Sequence, residues 1–175
     1  MFFRGREHES TIWQRFHTSS DGFTVRRFDG LVEVVVSANA DRLVDLFLAL
    51  LNEMPPALSV EVHDVRTSQR WVGVDLARPD VSATLARLKV SLSTWAGAEI
   101  CVYGSDVQLT ITPWLELYVH STSERWVFVL TGYGLQLREH RTSRSWRLPA
   151  DGFPRAEDAS AALRQAVDKL GMEPA

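Results

Sequence analysis

Apolar and polar residues alternate with a period of two along most of this chain, and three stretches break into helical spacing. The longest alternating run lies between Ala98 and Thr131. Side chains on a strand point to opposite faces in turn, so this run predicts four short strands, 100–103, 106–111, 115–120 and 125–131. Gly104-Ser105 has the composition of a two-residue hairpin loop. It sets Val102 opposite Val107 and Ile100 opposite Leu109. Ser121-Thr122-Ser123-Glu124 separates the last two strands and sets Val119 opposite Trp126, Leu117 opposite Phe128 and Leu115 opposite Leu130. Thr112-Pro113-Trp114 links the two hairpins. A slip of one residue in either hairpin would turn an apolar set toward water.

Upstream, Asp29-Gly30 is a strong turn signal between strands 23–28 and 31–37. The implied register puts Phe23 and Val25 on one face with Val32, Val34 and Val36, and pairs Arg26 with Glu33 on the other. Leu43, Val44, Phe47, Leu50, Leu51 and Met54 then follow helical spacing. Asn39 or Ser37 is placed to cap that helix, and Pro55-Pro56 ends it. Strands 58–65 and 70–76 follow, with Arg66-Thr67-Ser68 as the loop. That loop sets Val62 against Val72, Val60 against Val74, and Asp64 against Arg70. A second helix starts at Pro79-Asp80, carries Val81, Leu85, Leu88, Leu92 and Trp95, and ends at Gly97. A further strand is expected at 135–139. Pro154 opens a last helix with Ala159, Leu163, Val167 and Leu170 inward and Gly171 at its end. Thr11–His17 fits a strand or a short helix, and residues 1–10 read as loosely ordered. The order ββα-ββα-ββββ-α predicts an α+β fold: a largely antiparallel sheet with helices packed on one face.

Composition adds little to the fold and narrows the function. The 175 residues suit one domain with one core, and 45% hydrophobic with 23% charged residues is ordinary for a soluble chain. A formal net charge of −3 disfavours general binding to nucleic acid or anionic membrane. Cys101 is the only cysteine, so no internal disulfide and no all-cysteine metal cage can form. No signal-peptide core or spanning stretch is present, and the chain reads as cytoplasmic.

Three groups of residues are candidates for chemistry or contact. The second face of the 98–131 meander carries Glu99, Cys101, Tyr103, Gln108, Thr110, Glu116, Tyr118, His120, Arg125, Val127 and Val129. The implied register lines up Cys101, Gln108, His120 and Arg125. Cys101 and His120 then lie two strands apart, roughly 10 Å, beyond the reach of a nucleophile and its base. The second group is Trp71 with His63, ringed by Glu61 and Asp75; a surface Trp is a plausible contact anchor, or lies under another part of the chain. The third is 138–147, where Arg138, Arg141, Arg144 and Arg147 flank Trp146. It fits an anionic ligand or an acidic partner better than extended nucleic acid, and a solvated edge explains the same residues. The five His are scattered, with no metal-ligand spacing. Nothing calls for a cofactor.

The sequence favours a non-catalytic intracellular binding protein, such as a bacterial adaptor or a toxin-neutralising immunity-type protein. It would engage a protein partner through a sheet face and Arg- or Trp-bearing loops. Trp71, Tyr118, His120, Arg125, Arg141, Arg144 and Trp146 are the expected contacts. The alternative is a small-molecule binder or enzyme with a pocket between sheet and helices, drawing on Glu116, Tyr118 and His120. A homo-oligomer, as the subunit of a larger assembly, would show a self-complementary apolar patch.

Overall fold

A computed structural model describes residues 21–139, 153 and 156–175. They form one eight-stranded sheet, antiparallel throughout. The strands are β1 (Gly22–Phe28), β2 (Leu31–Ser37), β3 (Ala57–Asp64), β4 (Gln69–Ala77), β5 (Ala98–Tyr103), β6 (Val107–Ile111), β7 (Leu117–Ser121) and β8 (Glu173–Pro174). Their spatial order is β1-β2-β7-β6-β5-β3-β4-β8. The described helices are α1 (Ala40–Asn52), α2 (Arg78–Arg87), α3 (Lys89–Trp95), α4 (Arg125–Gly132) and α5 (Glu157–Lys169). The expected class holds: an α+β fold with its helices against one face of an antiparallel sheet.

Alternation builds the core directly. One row across the sheet runs Val34, Val119, Leu109, Val102 and Val60, each 0% exposed. The next runs Val36, Leu117, Ile111, Ile100, Val62 and Trp71. α1 lies across central β6 and adds Leu43, Val44, Phe47, Leu50 and Leu51, all buried. Asn39 is its N-cap residue, although its side chain makes no capping bond. The Asp29-Gly30 turn behaves as expected. Both residues have positive φ (50° and 78°), and β1 pairs with β2 in the anticipated register, Arg26 opposite Glu33.

The β3–β4 hairpin is one residue off the expected register. Asp64 Oδ1 accepts a hydrogen bond from the Arg66 backbone N–H (3.1 Å), and Oδ2 accepts one from the Thr67 hydroxyl (3.0 Å). This side-chain turn lengthens the loop to Val65–Ser68. Val62 therefore faces Trp71, Glu61 faces Val72 and His63 faces Arg70. The slip exchanges the faces of β4: Trp71 is 8% exposed in the core, whereas Val74 is 67% exposed. A bulge between Leu58 and Val60 restores Leu58 opposite Leu76, with Asp75 at φ 53°.

The fourth strand of the meander is a helix. Residues 125–131 belong to α4, which buries Trp126 and Leu130 (both 0% exposed) and leaves Phe128 75% exposed. That is i, i+4 burial, whereas a strand would have buried all three. Propensity yields here to packing. The place beside β7 is taken by β2, with Val34 opposite Val119. The β5–β6 turn falls one step later than expected, setting Val102 opposite Leu109 and Ile100 opposite Ile111, a shift of two that keeps the same face inward. Residues 78–95 are two helices interrupted at Leu88. Around 135–139 there is a single parallel bridge, Leu137 to Phe23, in place of a strand. The expectations for residues 1–10, Thr11–His17, Pro154, Arg141, Arg144 and Trp146 lie outside the described residues.

Candidate functional site: the outer face of the sheet

The face turned away from the helices, here the outer face, carries the alternate residues of each strand. One row runs Arg26, Glu33, His120, Gln108, Tyr103 and Ser59. The next runs Thr24, Val35, Tyr118, Thr110, Cys101, Glu61, Val72 and Glu173. Glu99, His63 and Arg70 sit side by side in a third. Val35, Thr110, Cys101 and Glu116 are buried, Tyr103, Gln108, Tyr118 and His120 are half-buried, and Glu61 and Arg70 are exposed.

His120 and Tyr118 both reach this face, as expected. Their rings stack with centroids 6.0 Å apart and planes 13° from parallel. His120 Nε2 lies 3.3 Å from Glu33 Oε2, and Arg26 lies 3.9 Å from the other oxygen of that carboxylate. The Tyr118 hydroxyl donates to Glu116 Oε2 at 3.3 Å. Glu116, Tyr118 and His120 thus lie opposite the described helices, and a pocket between the sheet and those helices does not draw on them. Glu33 joins the group only because β2 borders β7, a pairing across more than 80 residues that leaves no local trace in the sequence.

The other two described candidates lie off this face, Trp71 buried and Arg125 exposed on a helix. Trp71 points into the core through the one-residue slip, so His63 and Trp71 lie on opposite faces. Arg125 belongs to α4; its guanidinium donates to the Glu53 carbonyl at 2.5 Å and lies 4.6 Å over the Trp126 ring. It ties α4 to the end of α1. The row expected to hold Cys101, Gln108, His120 and Arg125 is split between two rows and a helix.

Cys101 is not poised as a nucleophile. Its thiol accepts from the Thr110 hydroxyl at 3.5 Å and lies 3.8 Å from Glu99 Oε1. Burial pushes the thiol pKa up, opposed by the Thr110 hydrogen bond and reinforced by the Glu99 charge. Burial, with Cys101 and Glu61 alongside, also pushes the Tyr103 phenol up. His63 is lowered, first by burial and then by repulsion from Arg70, so its imidazole stays neutral to lower pH. No group of three or more His, Cys, Asp or Glu among the described residues is arranged to hold a metal ion.

Two recesses open on this face. A cavity of about 200 Å³ is bordered by Glu61, His63, Arg70, Glu99 and Cys101. A wider dish of about 440 Å³ lies at the β5–β6 turn, bordered by Leu31, Tyr103, Asp106, Gln108 and His120. Phe28, 48% exposed, stands beside Leu31 across the β1–β2 turn.

A third cavity, about 520 Å³, lies off the sheet between the β3–β4 loop and the start of α5. Below it, Asp64 is 1% exposed and accepts from Ser160 Oγ at 2.6 Å, with the Arg66 guanidinium 3.8 Å away. Arg66 in turn donates to the Trp95 and Ala96 carbonyls. Burial lowers the Arg66 pKa, with Asp64 pulling the other way. Ser160, Thr67 and Arg66 all turn inward to Asp64, which marks the cluster as a structural clamp. Alternation does not expose it, because Asp64 reads as a surface residue of a hairpin.

Comparison with protein-family models, with curated proteins and with solved structures finds no match to this chain.

Proposed function

We propose that this chain is a non-catalytic binding protein that engages a protein partner through the outer face of its sheet. One observation carries the reading: the described helices all pack on one side, and the other side presents Tyr118, His120, Tyr103 and Gln108 half-exposed beside an open dish. Aromatic groups bordering a recess are the usual anchors of protein contacts. Catalysis has less support. Cys101 and His120 lie on strands separated by β6, roughly 10 Å at the backbone, and the thiol is held protonated. The carboxylates of this face also disfavour nucleic acid, whose phosphates they would repel. An intracellular adaptor or a toxin-neutralising, immunity-type protein is the class this favours. No described helix is long and apolar enough to cross a membrane. Arg141, Arg144 and Trp146 lie outside the described residues and take no part in this placement.

The test is affinity capture from native cells with the wild-type chain and with Tyr118→Ala/His120→Ala. The double variant should melt within a few degrees of wild type and lose a specific captured protein. Identical captured sets from the two baits would remove the outer face as the contact surface.

A further inference from the structure

α4 is tied to β1 at both ends. Glu124, the residue before α4, accepts two bonds from the Arg27 guanidinium (2.5 and 2.9 Å). At the other end the Tyr133 carbonyl accepts from Arg42 at 2.7 Å, and Arg42 also lies 3.8 Å from the carboxylate of Asp21, just before β1. Trp126 and Leu130 point into the core, so Phe128 points away from it and is 75% exposed, with half-buried Val127 and Val129 beside it. The polar side chains here are engaged locally: Glu124 with Arg27, Arg125 with the Glu53 carbonyl, and the Thr131 hydroxyl with the Val127 carbonyl at 2.8 Å. An exposed apolar ridge with no charge left to match calls for an apolar occupant.

The chain itself brings one to this place. Residues 1–20 lie outside the described ones and join the fold at Asp21, whose carbonyl also accepts from Arg138 at 2.9 Å. Ile12, Trp13 and Phe16 are the large apolar residues nearest that junction, at the i, i+1, i+4 spacing of one helix side. Phe16 stands five positions before Asp21, an extended reach of about 17 Å. The eight residues of α4 span about 12 Å. We propose that residues 11–17 dock on the solvent side of α4, with Trp13 and Phe16 against Phe128. Residues 140–152 fit less well, because their three Arg would find the Glu124 carboxylate already taken by Arg27. Phe128 is the most exposed large apolar side chain among the described residues. The arm therefore shields the patch through which a second copy would otherwise pair. This contact is separate from the outer sheet face and does not depend on the binding role proposed above.

The test places a photo-crosslinker in the full chain, as Phe128→p-benzoylphenylalanine, which keeps an aromatic ring at an exposed position. After irradiation, mass spectrometry of the digest should find adducts to residues 11–17. Their yield should hold on about tenfold dilution, since both partners share one chain. The adducts should vanish in a Trp13→Ser/Phe16→Ser background. Adducts to residues 140–152, a crosslinked dimer, no adduct at all, or adducts that survive the double substitution would each overturn the proposal. As a second reading, Trp13→Ser/Phe16→Ser should shift the backbone amides of Val127, Phe128 and Val129 and leave those of Tyr118 and His120 in place. Unshifted α4 amides would overturn it as well, with the outer-face reading untouched.

Discussion

Replacing Asp64 by Ala tests the buried clamp between the β3–β4 loop, α3 and α5. The carboxylate is 1% exposed and holds the Arg66 backbone N–H, the Thr67 hydroxyl and the Ser160 hydroxyl, at 3.1, 3.0 and 2.6 Å. Its loss removes the carboxylate 3.8 Å from the Arg66 guanidinium, which is itself only 6% exposed. Removing one member of a buried pair typically costs about 3–5 kcal/mol, because the remaining charge stays desolvated. The orphaned hydroxyls belong to the same network, so their cost is not added again. Against a total stability of roughly 5–15 kcal/mol, a loss of about 4 kcal/mol shifts the urea midpoint well within measurement. Urea unfolding followed by circular dichroism should show that shift with an unchanged m-value. Asp64→Asn keeps one acceptor oxygen and should lose about half as much. A loss under about 1 kcal/mol for Asp64→Ala, the size of an exposed pair, would refute the clamp.

Four further outcomes are expected. Trp71→Ala should cost about 3–5 kcal/mol as a large core truncation, while Val74→Ala stays within about 0.5 kcal/mol; the reverse pattern in urea unfolding would restore the unslipped register. Gly97→Ala should destabilise strongly, because φ is 70° and a Cβ would sit 2.5 Å from Arg66 Cζ; in an Arg66→Ala background only the backbone cost of about 1–2 kcal/mol remains, so additive effects in a double-mutant cycle would count against the contact. Cys101 should alkylate with iodoacetamide more slowly than a free thiol at pH 8, since its raised pKa leaves less thiolate, and urea should restore the ordinary rate. The His63 ring should titrate below its usual 6.5. The folded state then binds its proton less readily than the unfolded one, and stability falls as pH drops below that value. An NMR titration of wild type and Arg70→Ala reads both the depression and its partial relief.

Local chemistry decided how much of this molecule could be read from its residues. The β1–β2 register follows from Asp29-Gly30, because few residues other than these tolerate two successive positive φ values. Tyr118 and His120 were placed correctly by simple alternation between buried neighbours. At β4 the alternation is ambiguous: Trp71 and Val72 are both apolar, and only the side-chain turn at Asp64 selects which one faces inward. Residues 125–130 are apolar at nearly every position, so a strand pattern and an i, i+4 pattern fit equally well. The β2–β7 pairing, which brings Glu33 to His120, has no signature along the chain, because contacts between distant segments are chosen by the fold as a whole.

The spatial order of the strands also constrains how the chain can assemble. Hairpins β1-β2 and β3-β4 are complete by Ala77, yet they never touch; β7, β6 and β5 fill the gap between them. The β3–β4 hairpin gains its neighbour β5 once Tyr103 has been made, but β2 waits for β7 until Ser121, and two isolated strands are barely stable in water. The late insert is therefore the keystone of the sheet. Its arrival joins both halves in one cooperative step, and a nascent chain stopped before Ala98 would be left with two sticky edges and no common core.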